Sequence, residues 1–147
     1  DAQLNQGLEW EMAGNLTENL LLTAGYANQD ASYTRDISST VTAGTVLPLV
    51  PEHSGYLWGM WNINPRWAVG LGMNSQSRVY TSTSNAVVLP GFTRFDGALF
   101  FNQSETLEWQ LNIENLSDRH YYSTAHNDNN ITIGTPRTVL LSANLSF

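Results

Sequence analysis

Apolar and polar side chains alternate with a period of two along almost the whole chain. Near its end, Val139, Leu141, Ala143, Leu145 and Phe147 share one face, and Leu140, Ser142, Asn144 and Ser146 share the other. Trp67, Val69, Leu71 and Met73 stand in the same way against Ala68, Gly70, Gly72, Asn74 and Gln76. Leu107, Trp109, Leu111 and Ile113 oppose Glu108, Gln110, Asn112 and Glu114. Successive side chains of a strand point to opposite faces, so each segment offers one apolar and one polar wall. No stretch carries a 3.6-residue stripe, which excludes amphipathic helices as the main element. The pattern predicts an all-β chain of about seven antiparallel, up-and-down strands. They fall at roughly residues 3–14, 19–33, 54–63, 66–81, 93–102, 107–122 and 136–147.

The connections alternate in length. Gly14–Glu18, Asn64–Pro65 and Gln103–Thr106 are tight turns, whereas residues 34–53, 82–92 and 123–135 are long and rich in Ser, Thr, Asn and Gly. Short turns at one end and long loops at the other are the pattern of outer-membrane barrels. The aromatic residues suggest the same sorting. Trp10, Trp61, Trp67, Trp109 and Phe147 are expected near the short-turn end, and Tyr26, Tyr33, Tyr56, Tyr80, Tyr121 and Tyr122 near the long loops, as two interfacial girdles.

Composition fits a wall with one greasy and one wet face. Charged residues make up 13% of the 147 positions, about half the usual share. Mean hydropathy is nevertheless slightly negative, at −0.25. The longest apolar runs, such as Leu20–Leu22 and Val46–Val50, fall far short of the ~20 residues of a helical span. Asp1 is preceded by no basic or apolar leader, so any export signal is expected outside these residues. There is no cysteine, hence no disulfide framework and no thiolate site. A net charge of −7 argues against nucleic acid as a partner. In lipid every backbone group must be paired, which only a closed barrel achieves. Single-chain bacterial barrels have even strand numbers, so about seven strands are expected to be part of a larger barrel.

Several strings carry a resemblance. Asn112-Ile113-Glu114-Asn115-Leu116-Ser117-Asp118-Arg119-His120-Tyr121-Tyr122 is similar to the Asn-x-x-Asn-Leu-x-Asp-x-x-Tyr pattern near the barrel end of TonB-dependent siderophore receptors. Gly134-Thr135-Pro136-Arg137 resembles the Gly-x-Pro-Arg lead-in to the family's final strand, and Leu145-Ser146-Phe147 resembles the closing signal of outer-membrane barrels. Val50-Pro51-Glu52-His53-Ser54 and Leu89-Pro90-Gly91-Phe92-Thr93-Arg94-Phe95-Asp96 resemble further strand beginnings, in the family's order. The resemblance implies that residues 1–147 form the C-terminal segment of a large barrel of about 22 strands in the outer membrane of a Gram-negative cell. It implies uptake of a ferric siderophore, with the iron carried by its chelator rather than by a cofactor of the protein. The family's N-terminal plug and its TonB-engaging segment are not among these residues, so contact with the TonB complex is expected through another part of a longer chain.

The motifs themselves read as architecture. Pro51, Pro90 and Pro136 stand where loops meet strands, where a missing N–H harms the ladder least. Asn115-Leu116-Ser117-Asp118 interrupts the alternation and is expected to form a bulge. If the apolar positions face lipid, Gln76, Arg78 and Tyr80 face the lumen and climb toward a loop. Arg78 then suits an anionic ferric complex and Tyr80 a chelator ring. Tyr121, Tyr122 and His126 are further ligand-binding candidates at the mouth. Arg94 and Asp96, two apart on one face, are expected to form a structural lumen ion pair. His53, His120 and His126 have no partners at a metal-ligand spacing. No Gly-x-Ser-x-Gly, P-loop or His-Glu-x-x-His string suggests an enzyme. A passive porin-type or structural barrel, and a soluble β-barrel binding module, are the competing readings.

Overall fold

The computed structural model describes residues 2–147; Asp1, on which the expectation about an export signal fell, lies outside them. Seven long strands build one antiparallel sheet in the order β1-β2-β3-β4-β7-β8-β11. They are β1 (Gln3–Thr17), β2 (Leu20–Tyr33), β3 (His53–Asn64), β4 (Trp67–Gln76), β7 (Phe92–Asn102), β8 (Leu107–Glu114) and β11 (Thr138–Leu145). Two small hairpins lie in the loops between them, β5 (Val79–Tyr80) with β6 (Val88–Leu89) and β9 (Tyr122–Asn127) with β10 (Asn130–Ile133). No described residue is helical.

The short turns are closed by side-chain oxygens standing in for backbone acceptors. Asn64 Oδ1 accepts from the amides of Arg66 (2.9 Å) and Trp67 (3.0 Å). Ser104 Oγ accepts from the amide of Leu107 (3.1 Å), and Thr17 Oγ1 from that of Asn19 (3.3 Å). These are the Asn, Ser and Thr that punctuate the sequence between apolar runs.

Register carries the alternation across the sheet. One row runs Leu22–Gly59–Leu71–Gly97–Ile113–Val139, and the next row of that face Leu20–Trp61–Val69–Leu99–Leu111–Leu141. The opposite face carries rows such as Thr23–Trp58–Gly72–Asp96 and Ala68–Phe100–Gln110–Ser142. The apolar face is uncovered: Leu71 and Leu141 are each 62% exposed and Leu145 64%. A soluble sandwich would press that face against a second sheet. The described residues hold no such layer, and their only hydrophobic cluster (Val79, Leu89 and Ala125, with Ile131 against it) sits among the loop hairpins.

Two expected strands end early. The segment expected at 66–81 leaves the sheet after Gln76. Ser77 still donates to the His53 carbonyl (2.8 Å), but Val79 is then drawn into the loop cluster and the chain pairs with β6. The segment expected at 107–122 stops at Glu114, because Asn115 (φ 53°) and Asp118 (φ 50°) turn the backbone left-handed. That string interrupts the ladder with a tight turn, the Asp118 amide donating to the Asn115 carbonyl at 2.8 Å, after which the chain continues beside β7 toward Phe92, and the stretch taken as a loop at 123–135 holds the β9–β10 hairpin.

The girdle expectation holds in part. Trp67 stacks on Phe101 (centroids 4.3 Å apart), and Trp109, opposite Phe101, donates its indole N–H to Gln103 Oε1 at 2.8 Å, all on the apolar face near the short turns. Trp10, however, pairs with Tyr26 in the upper part of the sheet. It was misplaced because β1 and β2 run longer than the other strands. Tyr56 shares the polar face with Trp58 and so belongs to no girdle.

Candidate functional site

The three long loops meet at one end of the sheet and fasten to each other. Asn85, left-handed at φ 52°, uses both ends of its amide on Val46: Oδ1 accepts from the Val46 amide (2.9 Å) and Nδ2 donates to its carbonyl (3.0 Å). The Leu49 amide donates to the Tyr80 carbonyl at 2.9 Å. Thr81 and Ser84 donate their hydroxyls to Asp128 at the tip of the β9–β10 hairpin. With Val79, Leu89, Ala125 and Ile131 beneath these bonds, the loops form one cap rather than three free strings.

The hydroxyls of Thr81, Ser82 and Ser84 hold the Asp128 carboxyl below its ordinary value of 3.8. A carboxyl depressed in the folded state adds stability that is complete above the unfolded value and fades as pH falls through the lower, folded one. The latch should therefore be unchanged from neutrality down to about pH 4 and open only in stronger acid. Hydrogen exchange at the Thr81 amide, corrected for intrinsic rate, checks this in the full-length protein. Asp128→Ala should remove the acid-dependent step and leave the amide, even at neutral pH, as weakly protected as in the acid-opened wild type. A step surviving in that variant would assign the acid response elsewhere.

Below the cap, on the polar face, lies an open groove of about 530 Å³ between β1 and the β9 loop. Glu9 and Glu11 of β1 line one side, Tyr56 and Asn74 the floor, and Phe92, Arg94 and Tyr121 the other side. Arg94 is the cation of this groove and is already engaged. Its Nη2 and Nε donate to Asp96 Oδ2 (2.8 and 3.2 Å), and Nη1 donates to the Tyr121 hydroxyl (3.3 Å). The same Oδ2 accepts from Asn74 Nδ2 at 3.3 Å, and Asp96 Oδ1 accepts from the Asn115 amide at 2.9 Å. Tyr121 is buried: its ring packs on Phe92 (centroids 4.3 Å apart) and over Gly134, where an added Cβ would come within 2.5 Å of three ring atoms. The Gly134 in the Gly-x-Pro-Arg string is thus the floor on which Tyr121 lies.

Asn115 ties the network to the wall. It is fully buried, its Nδ2 donates to the carbonyls of Arg119 (2.9 Å) and Thr135 (3.0 Å), and its Oδ1 accepts from the Arg119 amide (2.9 Å). Asp118 Oδ1 accepts from the Arg137 amide at 2.9 Å, joining the two ends of the last loop.

Of the five residues singled out as ligand candidates, Tyr121 lines the groove. Arg78 is exposed in the link between β4 and β5, Tyr80 is half-buried in β5, and Tyr122 and His126 are exposed on β9. The face shared by Gln76, Arg78 and Tyr80 does not exist, because the strand ends at Gln76, which alone of the three lines the groove. Sequence reasoning did not assign Phe92 or Tyr56 to the site, although both follow from strand parity once register is known. The ion pair expected between Arg94 and Asp96 is present at 2.8 Å. No group of three or more His, Cys, Asp and Glu converges among the described residues.

A family model described as TonB dependent receptor-like, beta-barrel matches residues 1–116. The probable TonB-dependent siderophore receptor PiuA of Acinetobacter baumannii is 27% identical, over 96% of this chain and 20% of that protein. Its crystal structure superposes with a TM-score of 0.88, covering 97% of this chain and 22% of that one, at 27% identity. The catecholate siderophore receptor Fiu of Escherichia coli is 30% identical over 97% of this chain and 19% of its own length. The closed form of Fiu, a ferric-catecholate import receptor, matches with a TM-score of 0.87 at 28% identity, over 99% of this chain and 21% of that chain. The metal-pseudopaline receptor CntO of Pseudomonas aeruginosa is 30% identical over 97% of this chain and 21% of its own. The chain spans about a fifth of the length of these curated relatives.

Proposed function

The chain belongs to the TonB-dependent receptor-like β-barrel family, and on that premise we propose that it forms part of the wall and mouth of an outer-membrane receptor importing a ferric siderophore. The observation that carries the reading is the polar groove under a fastened three-loop cap, on a sheet whose other face is uncovered and apolar. Eight residues separate Ser75, level with Trp10 and Tyr26, from Trp67 in the lower aromatic row. At ~3.4 Å per residue and a tilt of about 40° this is roughly 20 Å along a barrel axis, close to the ~25 Å lipid band of such barrels.

Strands β1 and β11 each leave one edge unpaired within the sheet, and lipid does not tolerate that. Further strands of the same barrel, about 22 in all, would complete the ladder, with residues 1–147 as its C-terminal segment. Energy would come from the TonB complex acting on a plug supplied by another part of the parent chain. The ligand would meet Tyr121 in the groove and Arg78, Tyr80, Tyr122 and His126 at the mouth. The family's role is reception and transport, so these residues are read as contacts and not as catalysts.

The test is uptake of radioiron complexed with a simple catechol by iron-starved source cells. Deleting the parent gene should abolish accumulation, and restoring it should recover accumulation. A protonophore should stop uptake while leaving surface binding intact. Uptake insensitive to the protonophore would indicate a passive porin-type barrel instead, and uptake unchanged by deletion would remove the assignment.

A further inference from the structure

The polar face carries an aromatic side chain in each of three successive rows running down from the groove. The rows are Ala27–Ser54–Gln76–Phe92, Gly25–Tyr56–Asn74–Arg94 and Thr23–Trp58–Gly72–Asp96. Two of the three rings lie against glycines. A Cβ on Gly25 would come within 2.4 Å of the Tyr56 ring. A Cβ on Gly70 would come within 2.4 Å of Trp58 Cζ2, and one on Gly72 within 2.6 Å of Trp58 Cε3. Those two atoms are on opposite sides of the six-membered ring, so the indole is laid flat across both glycines.

Resting on that receptor reading, we propose that Trp58 is a stacking platform below the ligand groove, met by an aryl-bearing ligand as it leaves the Phe92–Tyr121 pair and passes down the wall. Two glycines at alternate positions of one strand weaken it, since each forgoes a packing side chain and costs chain entropy. Small side chains there would build the wall as well if Trp58 stood upright. Lying flat, the half-buried indole turns a broad ring face along the wall. Tyr56 and Trp58 stand two residues apart on β3, about 7 Å, and ring pairs interact at centroid separations of roughly 4.5–7 Å. A planar chelator ring can therefore reach Trp58 as it leaves Tyr56. The charge in that row nearest to Trp58, Asp96, is engaged by Arg94, Asn74 and the Asn115 amide. At this point of the wall the ring itself is what is left to offer.

The experiment uses the full-length receptor in cells, with ferric catecholate of a simple catechol as probe. Binding is measured on cells de-energised with a protonophore, and initial uptake rate on energised cells. Trp58→Ala should leave binding within about twofold and slow uptake about tenfold, the scale of one lost stack. Trp58→Phe should keep most of the rate, and Trp58→Leu, equally apolar but without a π-face, should resemble Trp58→Ala. Heat-modifiable receptor in the membrane fraction checks that the variants assemble. If Trp58→Ala does not, the Phe and Leu variants decide alone. Equal rates for Phe and Leu, or no slowing in Trp58→Ala, would reduce Trp58 to wall filling and overturn the proposal. Absence of both binding and uptake by the wild-type receptor would instead strike the receptor reading itself.

Discussion

Asn115→Ala should lower the unfolding free energy of the full-length receptor by about 3–5 kcal/mol, one of the larger losses any single side chain of this segment can produce. Asn115 is fully buried and closes three hydrogen bonds through its side chain, two to carbonyls and one to an amide. Alanine leaves the Arg119 carbonyl and amide and the Thr135 carbonyl without the partner each now has. Each orphaned group costs about 1–3 kcal/mol. The backbone adds to this, because Asn115 sits at φ 53° and asparagine tolerates the left-handed region better than alanine. Asn115→Asp tests the donors: it keeps the acceptor for the Arg119 amide but sets a buried carboxylate oxygen against both carbonyls, so a deficit no smaller than that of the alanine variant is expected. Guanidinium unfolding of the detergent-solubilised receptor, followed by tryptophan fluorescence, measures both. A loss under about 1 kcal/mol for the alanine variant would mean that the last loop is held by other contacts.

The same residue marks where sequence reading stops. Alternation placed all seven long strands, because on a two-faced sheet parity alone decides which side chains are apolar. It marked the interruption at Asn115–Asp118 but carried the strand through it to residue 122, since the left-handed backbone of Asn115 and Asp118 leaves no mark on polarity. It did not see the end of β4, since Gln76, Arg78 and Tyr80 alternate as a strand would while Val79 goes to the loop cluster. The loops look formless in composition, yet Asn85 and Asp128 satisfy backbone and hydroxyl groups across them and fold them into a cap. Such cross-loop bonds span 39 to 47 residues and leave no local signature. The candidate site was legible as far as Tyr121 and the Arg94–Asp96 pair. The platforms under Tyr56, Trp58 and Tyr121 were not, because a glycine in a strand reports neither its partner nor its face until register is known.

Asp96→Ala is the second large effect, about 3 kcal/mol, and a double variant shows where it comes from. Asp96 is the hub between groove and wall, accepting two bonds from Arg94, one from Asn74 and one from the Asn115 amide. Only 15% of its side chain and 22% of that of Arg94 are exposed, so the pair is little screened and its loss leaves a guanidinium with poor access to water. Removing one member of such a pair costs more than removing both, because the survivor is an uncompensated charge. The variant lacking both Arg94 and Asp96 side chains should therefore regain part of the loss. Recovery should be incomplete, since the Asn115 amide still lacks its acceptor and Tyr121 has lost its donor from Arg94. Asp96→Asn should fall between wild type and Asp96→Ala, retaining an acceptor for Asn115 while presenting an amide N–H toward Arg94. If the double variant is no more stable than Asp96→Ala, the unpaired charge costs nothing and the whole loss belongs to the Asn115 contact. The arginine would then be free to serve the groove without a stability penalty.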